Sequence, residues 1–269
     1  MNNNEKNEKL IILSNDDGVS SLGLVAAVRA LSPLGKVLVA APREQQSGAG
    51  RSMLASADGN IECISKVIDG VDWDLYSIGG SPAQVVQRGL FVVSDRLPDL
   101  VVSGINYGEN LGADLTISGT VGAAWEAASY GVPAMAVSLQ TELDSHTNHR
   151  ANVDFTAAIH FTRLFAKRLL MVDYTNDVDL LNLNIPINAK INTAWKITRQ
   201  SRKQYFVPTN LSDPELIQYK KANNHEETES NSDIYAVTQE NVVSVTPISI
   251  DSTARVSLDD FEEKLRRLG

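Results

Sequence analysis

Only one cysteine, Cys63, stands among the 269 residues, so no disulfide can close within the chain. That usage suits a reducing cytoplasm. Long apolar runs are missing as well. None approaches the roughly 18 residues that cross a bilayer, and the opening "MNNNEKNEK" lacks the apolar stretch of a signal peptide. Positive charge is in deficit: the net charge is −9 and the pI about 5.0. This balance argues against a broad nucleic-acid footprint. An anionic ligand would need local positive potential from a metal ion or from helix N-termini. There is no G-x-G-x-x-G and no Walker A loop, which disfavours a dinucleotide enzyme and a P-loop ATPase. The expectation is a soluble cytoplasmic protein with no membrane and no long nucleic acid as partner.

What is present alternates. "KLIILS", "KVLVAAP", "DLYSIGG", "DLVVSGIN", "AMAVSLQ" and "DLLNLNIP" read as short apolar strands. Between them lie helix-period segments: Gly23 to Leu34, one opening at Ser81-Pro82-Ala83-Gln84, "SGTVGAAWEAASYGVP", and Asn152 to Met171. Ser81 and Gln84 stand at capping-box spacing, with Pro82 suited to the first turn. Strands alternating with helices predict an α/β fold with a doubly wound, mostly parallel, Rossmann-like sheet. The apolar fraction of 43% is enough to fill such a core. Residues 1–188 are taken as this core. Residues 189–269 change character and are read as a C-terminal extension used in subunit contacts, not an independent domain. Within it, "DIYAVTQENVVSVTPISID" reads as a β-hairpin or pair of strands, and "SLDDFEEKLRRLG" as a capped helix.

Ligands of open α/β sheets bind beyond the carboxyl ends of the strands. The first strand is followed by Asn15, Asp16 and Asp17, the second by a loop holding Ser47, and "DLVVSGIN" by Asn106 and "YGENLGADLTISGT". Carboxylate, hydroxyl and amide oxygens form a hard donor set, suited to Mg²⁺ or Mn²⁺ and poor for zinc. A divalent ion would offset the repulsion between the adjacent carboxylates of Asp16 and Asp17. Asn-Asp-Asp-Gly is also an ordinary turn sequence, and that stretch alone leaves both readings open. Ser118-Gly119-Thr120 at a helix start offers backbone N–H groups and two hydroxyls for a phosphate, or simply an N-cap.

Rival acidic motifs fail on inspection. A haloacid-dehalogenase nucleophile would stand where Asn15 is, and receiver domains need an Asp where "SGIN" ends its strand. A metal-using glycosyltransferase would place an Asp-x-Asp after a later strand. The four histidines, His146, His149, His160 and His225, are scattered. Cys63, Trp125 and Trp195 read as packing or incidental residues. "RQSRK" (Arg199 to Lys203) reads as a solvated face or as a contact for phosphate or a partner subunit.

Together, "ILSNDDG", "APREQQSGAG", "LVVSGINYGENLG", "ISGTVGAAWEAASYGVPAMAVSL", "LNLNIP", "TRQSRKQY" and "VVSVTPISID" occur in an order that resembles the SurE family of survival proteins, metal-dependent 5′/3′-nucleotidases. The resemblance runs over nearly the whole chain. It implies one divalent ion (Mg²⁺ or Mn²⁺) per subunit, held by Asp16, Asp17, Ser47 and Asn106. It implies nucleoside monophosphates as substrates, with short polyphosphate as a further one, and a homodimer or homotetramer. On this reading Asp16, Asp17 and Asn106 are catalytic, with Asp16 orienting or deprotonating the attacking water. Asn15, Asn110, Ser118, Gly119 and Thr120 bind the phosphate. A nucleotide-binding regulatory protein without catalysis is the alternative. Two departures stand out: Gln84-Val85 where the family commonly has Asp-Cys, and Tyr107, an aromatic that could alter phosphate affinity or stack on a base.

Overall fold

β1 (Leu10–Ser14) is buried at every position. Side chains alternate between the faces of a strand. Ile11 and Leu13 enter one hydrophobic cluster and Ile12 another. A strand that is apolar on both sides must be covered on both sides, which requires a sheet between two helical layers. The computed structural model has that form. It describes residues 8–142, 153–172, 177–209, 212, 218–222 and 227–267.

Among the described residues, the main sheet has nine strands. At its centre β1 lies between β2 (Lys36–Pro42) and β5 (Leu100–Tyr107), parallel to both. Beyond β5 follow β6 (Ala134–Leu139) and β7 (Leu180–Ile185), also parallel. On the β2 side stand β4 (Val71–Ile78), parallel to β2, and then β3 (Ile61–Ile68), antiparallel to β4. The far edge is built from the C-terminal third of the chain. β11 (Val243–Ile248) runs antiparallel to β7, and β8 (Trp195–Ile197) parallel to β11.

Helices α1 (Leu22–Leu31) and α4 (Thr156–Leu169) cover one face through Leu24, Val28, Phe161 and Phe165. α2 (Pro82–Arg88) and α3 (Gly119–Ser129) cover the other through Val86, Val121 and Ala127. The α2 capping box forms as its spacing predicts. Ser81 Oγ accepts from Gln84 N, and Gln84 Oε1 accepts from Ser81 N. Such a cap contributes about 1 kcal/mol, and the Gln84 departure leaves it intact. Among the described residues, no helix is long and apolar enough to cross a membrane.

Three features depart from the sequence expectation. The hairpin β3–β4 was not anticipated, although its signal is present. Asp69-Gly70 joins the two strands with both residues at positive φ, as a two-residue hairpin turn of this hand requires. The expected strand pair over 233–251 is half wrong. Asp233–Thr238 forms helix α5, and only Val243–Ile248 is a strand. Ser232 Oγ accepts from Tyr235 N and Asp233 occupies the first turn, so the segment starts as a capped helix. Ile234 and Val237 then bury against Leu111 and Tyr205. The third is a separate two-stranded antiparallel sheet of β9 (Phe206–Thr209) and β10 (Gln218–Lys221).

Candidate active site

β2, β1 and β5 are adjacent and parallel, so their carboxyl ends share one edge of the sheet. The loops that leave them line one cleft of about 150 Å³. From the first loop come Asp16 and Asp17, from the second Gln45, Ser47 and Gly48, and from the third Asn106 and Asn110. Ser118 and Gly119 arrive from the start of α3, Asp114 from the turn before it, and Phe206 from β9. Asp16, Asp17, Ser47 and Asn106 are thereby brought together although they span 90 residues of sequence.

Two glycines make this convergence possible. Gly18 turns the chain away from β1 with φ +92°, against the backbone of Glu44. A β-carbon at Gly119 would lie 2.8 Å from Asp16 Oδ2, so only glycine lets α3 begin against that carboxylate. Asp16 is buried, and its Oδ1 accepts from the Thr120 hydroxyl at 2.6 Å. Asp17 is also buried. Its Oδ2 accepts from Tyr107 N at 3.2 Å and its Oδ1 from Gln45 Nε2 at 3.4 Å. Asn106 donates its side-chain amide to Gly108 O at 2.7 Å, which turns its carbonyl oxygen away from that bond. Asn110 donates to Ser138 Oγ and Asn184 Oδ1 and accepts from the amides of Asn182 and Asn184. Three side chains from β6 and β7 thus hold Asn110 at that corner of the cleft.

Not every expected residue faces the cleft. Asn15 is buried beneath it, and its amide is held by Gly18 O. Its Oδ1 has no hydrogen-bond partner among the described residues. Thr120 is fully buried, and its hydroxyl is taken up by Asp16. Neither is in the cleft lining, and both stand behind the acidic pair. Tyr107 is not placed for base stacking. It is 3% exposed, its ring packing edge-on to Phe155 at 5.4 Å. Arg199, Arg202 and Lys203 lie outside the cleft, where Gln200 and Lys203 hold the loop at Gly112 and Ala113. Trp195 packs on Phe165, Cys63 is exposed on β3, and His160 is exposed on α4. His146, His149 and His225 lie outside the described residues.

Sequence reasoning passed over Glu109, Asp114 and Phe206, which also line the cleft. Glu109 is buried and pairs with Lys221 at 2.7 Å, and it accepts from the Tyr205 hydroxyl at 2.5 Å. Asp114 Oδ2 accepts from the backbone amides of Tyr205 and Phe206. Two of the four carboxylates are therefore compensated by a lysine or by amides. Among the described residues, no Lys, Arg or His lines the cleft. Burial pushes the pKa of Asp16 up. Burial, with the Asp16 charge adding to it, pushes Asp17 up to about 8.

Fold and site together define an open-sheet α/β protein with an acidic pair and a helix N-terminus at the carboxyl edge of its strands. The comparisons with known proteins make this more specific. The sequence model of the family described as Survival protein SurE matches residues 11–207. A protein of Methanosarcina acetivorans named 5′-nucleotidase SurE is 40% identical over 265 residues, covering 95% of this chain and 97% of its own. One of the same name from Thermococcus kodakarensis is 40% identical over 259 residues, covering 95% and 98%. The crystal structure of the SurE protein from Aquifex aeolicus superposes with a TM-score of 0.74 at 32% identity, covering 96% of this chain and 99% of that one. The chain belongs to the SurE family.

The electrostatics generate a test. A carboxylate whose folded pKa lies above its unfolded value stabilises the fold only while protonated. Its contribution is lost as pH rises from the ordinary carboxylate range towards about 8. In chelator, the melting temperature should fall between pH 5 and pH 8.5, and Asp17→Asn should flatten that slope. Mn²⁺ should raise the melting temperature more at pH 8 than at pH 5. A flat wild-type profile, or equal metal shifts at both pH values, would contradict the assignment.

Proposed function

We propose that the protein is a metal-dependent phosphomonoesterase that hydrolyses nucleoside 5′- and 3′-monophosphates, with short polyphosphate as a further substrate. One observation carries the metal requirement. The cleft presents two adjacent buried carboxylates, and no basic side chain among the described residues lines it. A phosphate dianion would be repelled from such a site, and a divalent cation removes the conflict for both partners. The donor set fits a hard ion: Asp16, Asp17, Ser47 and the Asn106 carbonyl supply oxygen only. The curated relatives carry the name 5′-nucleotidase, which supports a nucleotide as the phosphate donor.

These four residues would hold one Mg²⁺ or Mn²⁺. When bound, such an ion polarises a phosphoryl oxygen and lowers the pKa of a coordinated water. The protein's own groups position the rest. Thr120 engages one oxygen of Asp16 and so orients the other. Tyr107 N and Gln45 hold Asp17, so neither carboxylate needs to reorganise during turnover. Ser118 and Gly119 place the N-terminus of α3 at the cleft, where its dipole favours the phosphoryl oxygens. The Ser118 hydroxyl already accepts from Val121 N, so it keeps its proton available for a phosphate oxygen. Asn110 is locked by Ser138, Asn182 and Asn184, and acts as a rigid wall beside the transferred group. Asp16 is the carboxylate assigned to orient the attacking water.

Residues 189–269 are proposed to extend the core and to make subunit contacts in a dimer or tetramer. β8 and β11 continue the sheet, which supports the first half of this reading. Helix α6 (Leu258–Arg266) supports the second. Leu258, Phe261 and Leu265 are 63%, 52% and 57% exposed and share one helical face.

Two experiments test these readings. Phosphate release from 5′-AMP and 3′-AMP should appear with Mn²⁺ or Mg²⁺, vanish in EDTA, and fall at least about a hundredfold in Asp17→Asn. A folded, metal-loaded wild type that binds AMP without releasing phosphate would favour a regulatory nucleotide-binding protein. Light scattering should report a dimer or tetramer for the wild type and a smaller species for Phe261→Ser. A monomeric wild type would remove the subunit-contact reading.

A further inference from the structure

The metal and phosphate reading leaves one part of the cleft without a role. Its lining is polar except for Tyr107, Ile117 and Phe206, and Tyr107 is buried against Phe155. Ile117 is 53% exposed and Phe206 half-buried, so these two form the apolar part of the opening. The cavity, at about 150 Å³, is smaller than the roughly 300 Å³ at which drug-sized ligand pockets begin. It suits a phosphoryl group and an ion, and the remainder of a nucleotide must lie at the rim.

Phe206 is held with unusual care for a rim residue. Its backbone amide donates to Asp114 Oδ2 at 2.7 Å, and the amide of Tyr205 donates to the same oxygen at 3.0 Å. Its ring packs edge-on to Tyr205, with centroids 4.8 Å apart. Tyr205 is fully buried against Leu111, Ile234 and Val237 and is tied through its hydroxyl to Glu109. Lys221, which pairs with Phe206 across β9 and β10, closes the arrangement with its ion pair to Glu109. Asp114 and Glu109 belong to the cleft itself, so the aromatic is fixed relative to the acidic pair.

We propose that Phe206 is the platform on which the substrate's nucleobase stacks, with Ile117 as the apolar neighbour at the opening. This rests on the phosphomonoesterase reading and deepens it, because it makes Phe206 the residue that separates nucleotides from phosphate esters without a base. Every base has a π-face, so stacking tolerates all bases. Discrimination among them is then weak, while discrimination against a bare sugar phosphate is strong.

The test compares 5′-AMP with ribose 5-phosphate, which keeps the phosphate and sugar and lacks the base. Phe206→Ala should lower kcat/KM for 5′-AMP by roughly ten- to a hundredfold, mainly through KM, and leave ribose 5-phosphate within about twofold. Phe206→Trp should retain the preference. Equal losses on both substrates would make Phe206 a structural residue only, and no loss on 5′-AMP would remove it from recognition. If Phe206→Ala fails to fold, Phe206→Leu reads the same ratio with the apolar position kept. Calorimetry with adenosine separates the two proposals. Adenosine binding by wild type that weakens at least tenfold in the variant supports the stacking platform even if phosphate release fails. Equal adenosine affinity for both proteins overturns it even if the enzyme is active.

Discussion

Two adjacent carboxylates, both buried, at the end of the central strand are the constraint from which the rest of this structure follows. A buried anion is costly unless something offsets it. Here the Thr120 hydroxyl bonds Asp16, and the Tyr107 amide and the Gln45 side chain bond Asp17. The neighbouring carboxylates are treated differently. Glu109 receives a lysine and a tyrosine, and Asp114 two backbone amides. On the proposed function, this contrast separates the acids that complete the fold from those that would hold an ion.

The sheet exists to hold that pair. Ile11, Ile12 and Leu13 anchor β1 between two helical layers, so the strand end carrying Asp16 cannot shift. Gly119 lets α3 start against Asp16, which brings the positive end of a helix to the position where negative charge must be received. On the proposed function, one side of the arrangement would hold a cation and the opposite side an anion. A phosphate ester bridging the two meets both demands.

Much of this was legible in the sequence because the core is locally coded. The apolar runs of β1, β2, β5, β6 and β7 announce a doubly buried sheet, and the rule that ligands gather beyond strand ends points to the loops carrying Asn15, Asp16, Asp17, Ser47 and Asn106, which meet at one cleft. What escaped was determined over long distances. Phe206 and Tyr205 reach the cleft because Asp114, some 90 positions away, binds their amides, and no periodic pattern encodes that. Asn15 and Thr120 have the right chemistry for phosphate, and the structure places both behind the cleft lining rather than in it. The segment at Asp233 alternates like a strand, yet the Ser232 cap and the pocket around Tyr205 make it a helix. The Asp69-Gly70 hairpin is coded locally, by a turn dipeptide between its two strands.

The most direct measurement is anomalous diffraction from crystals grown with Mn²⁺. The account predicts one manganese peak per chain, between the side chains of Asp16, Asp17, Ser47 and Asn106. A cleft without manganese at saturating concentration, or a peak bound by other residues, would contradict it.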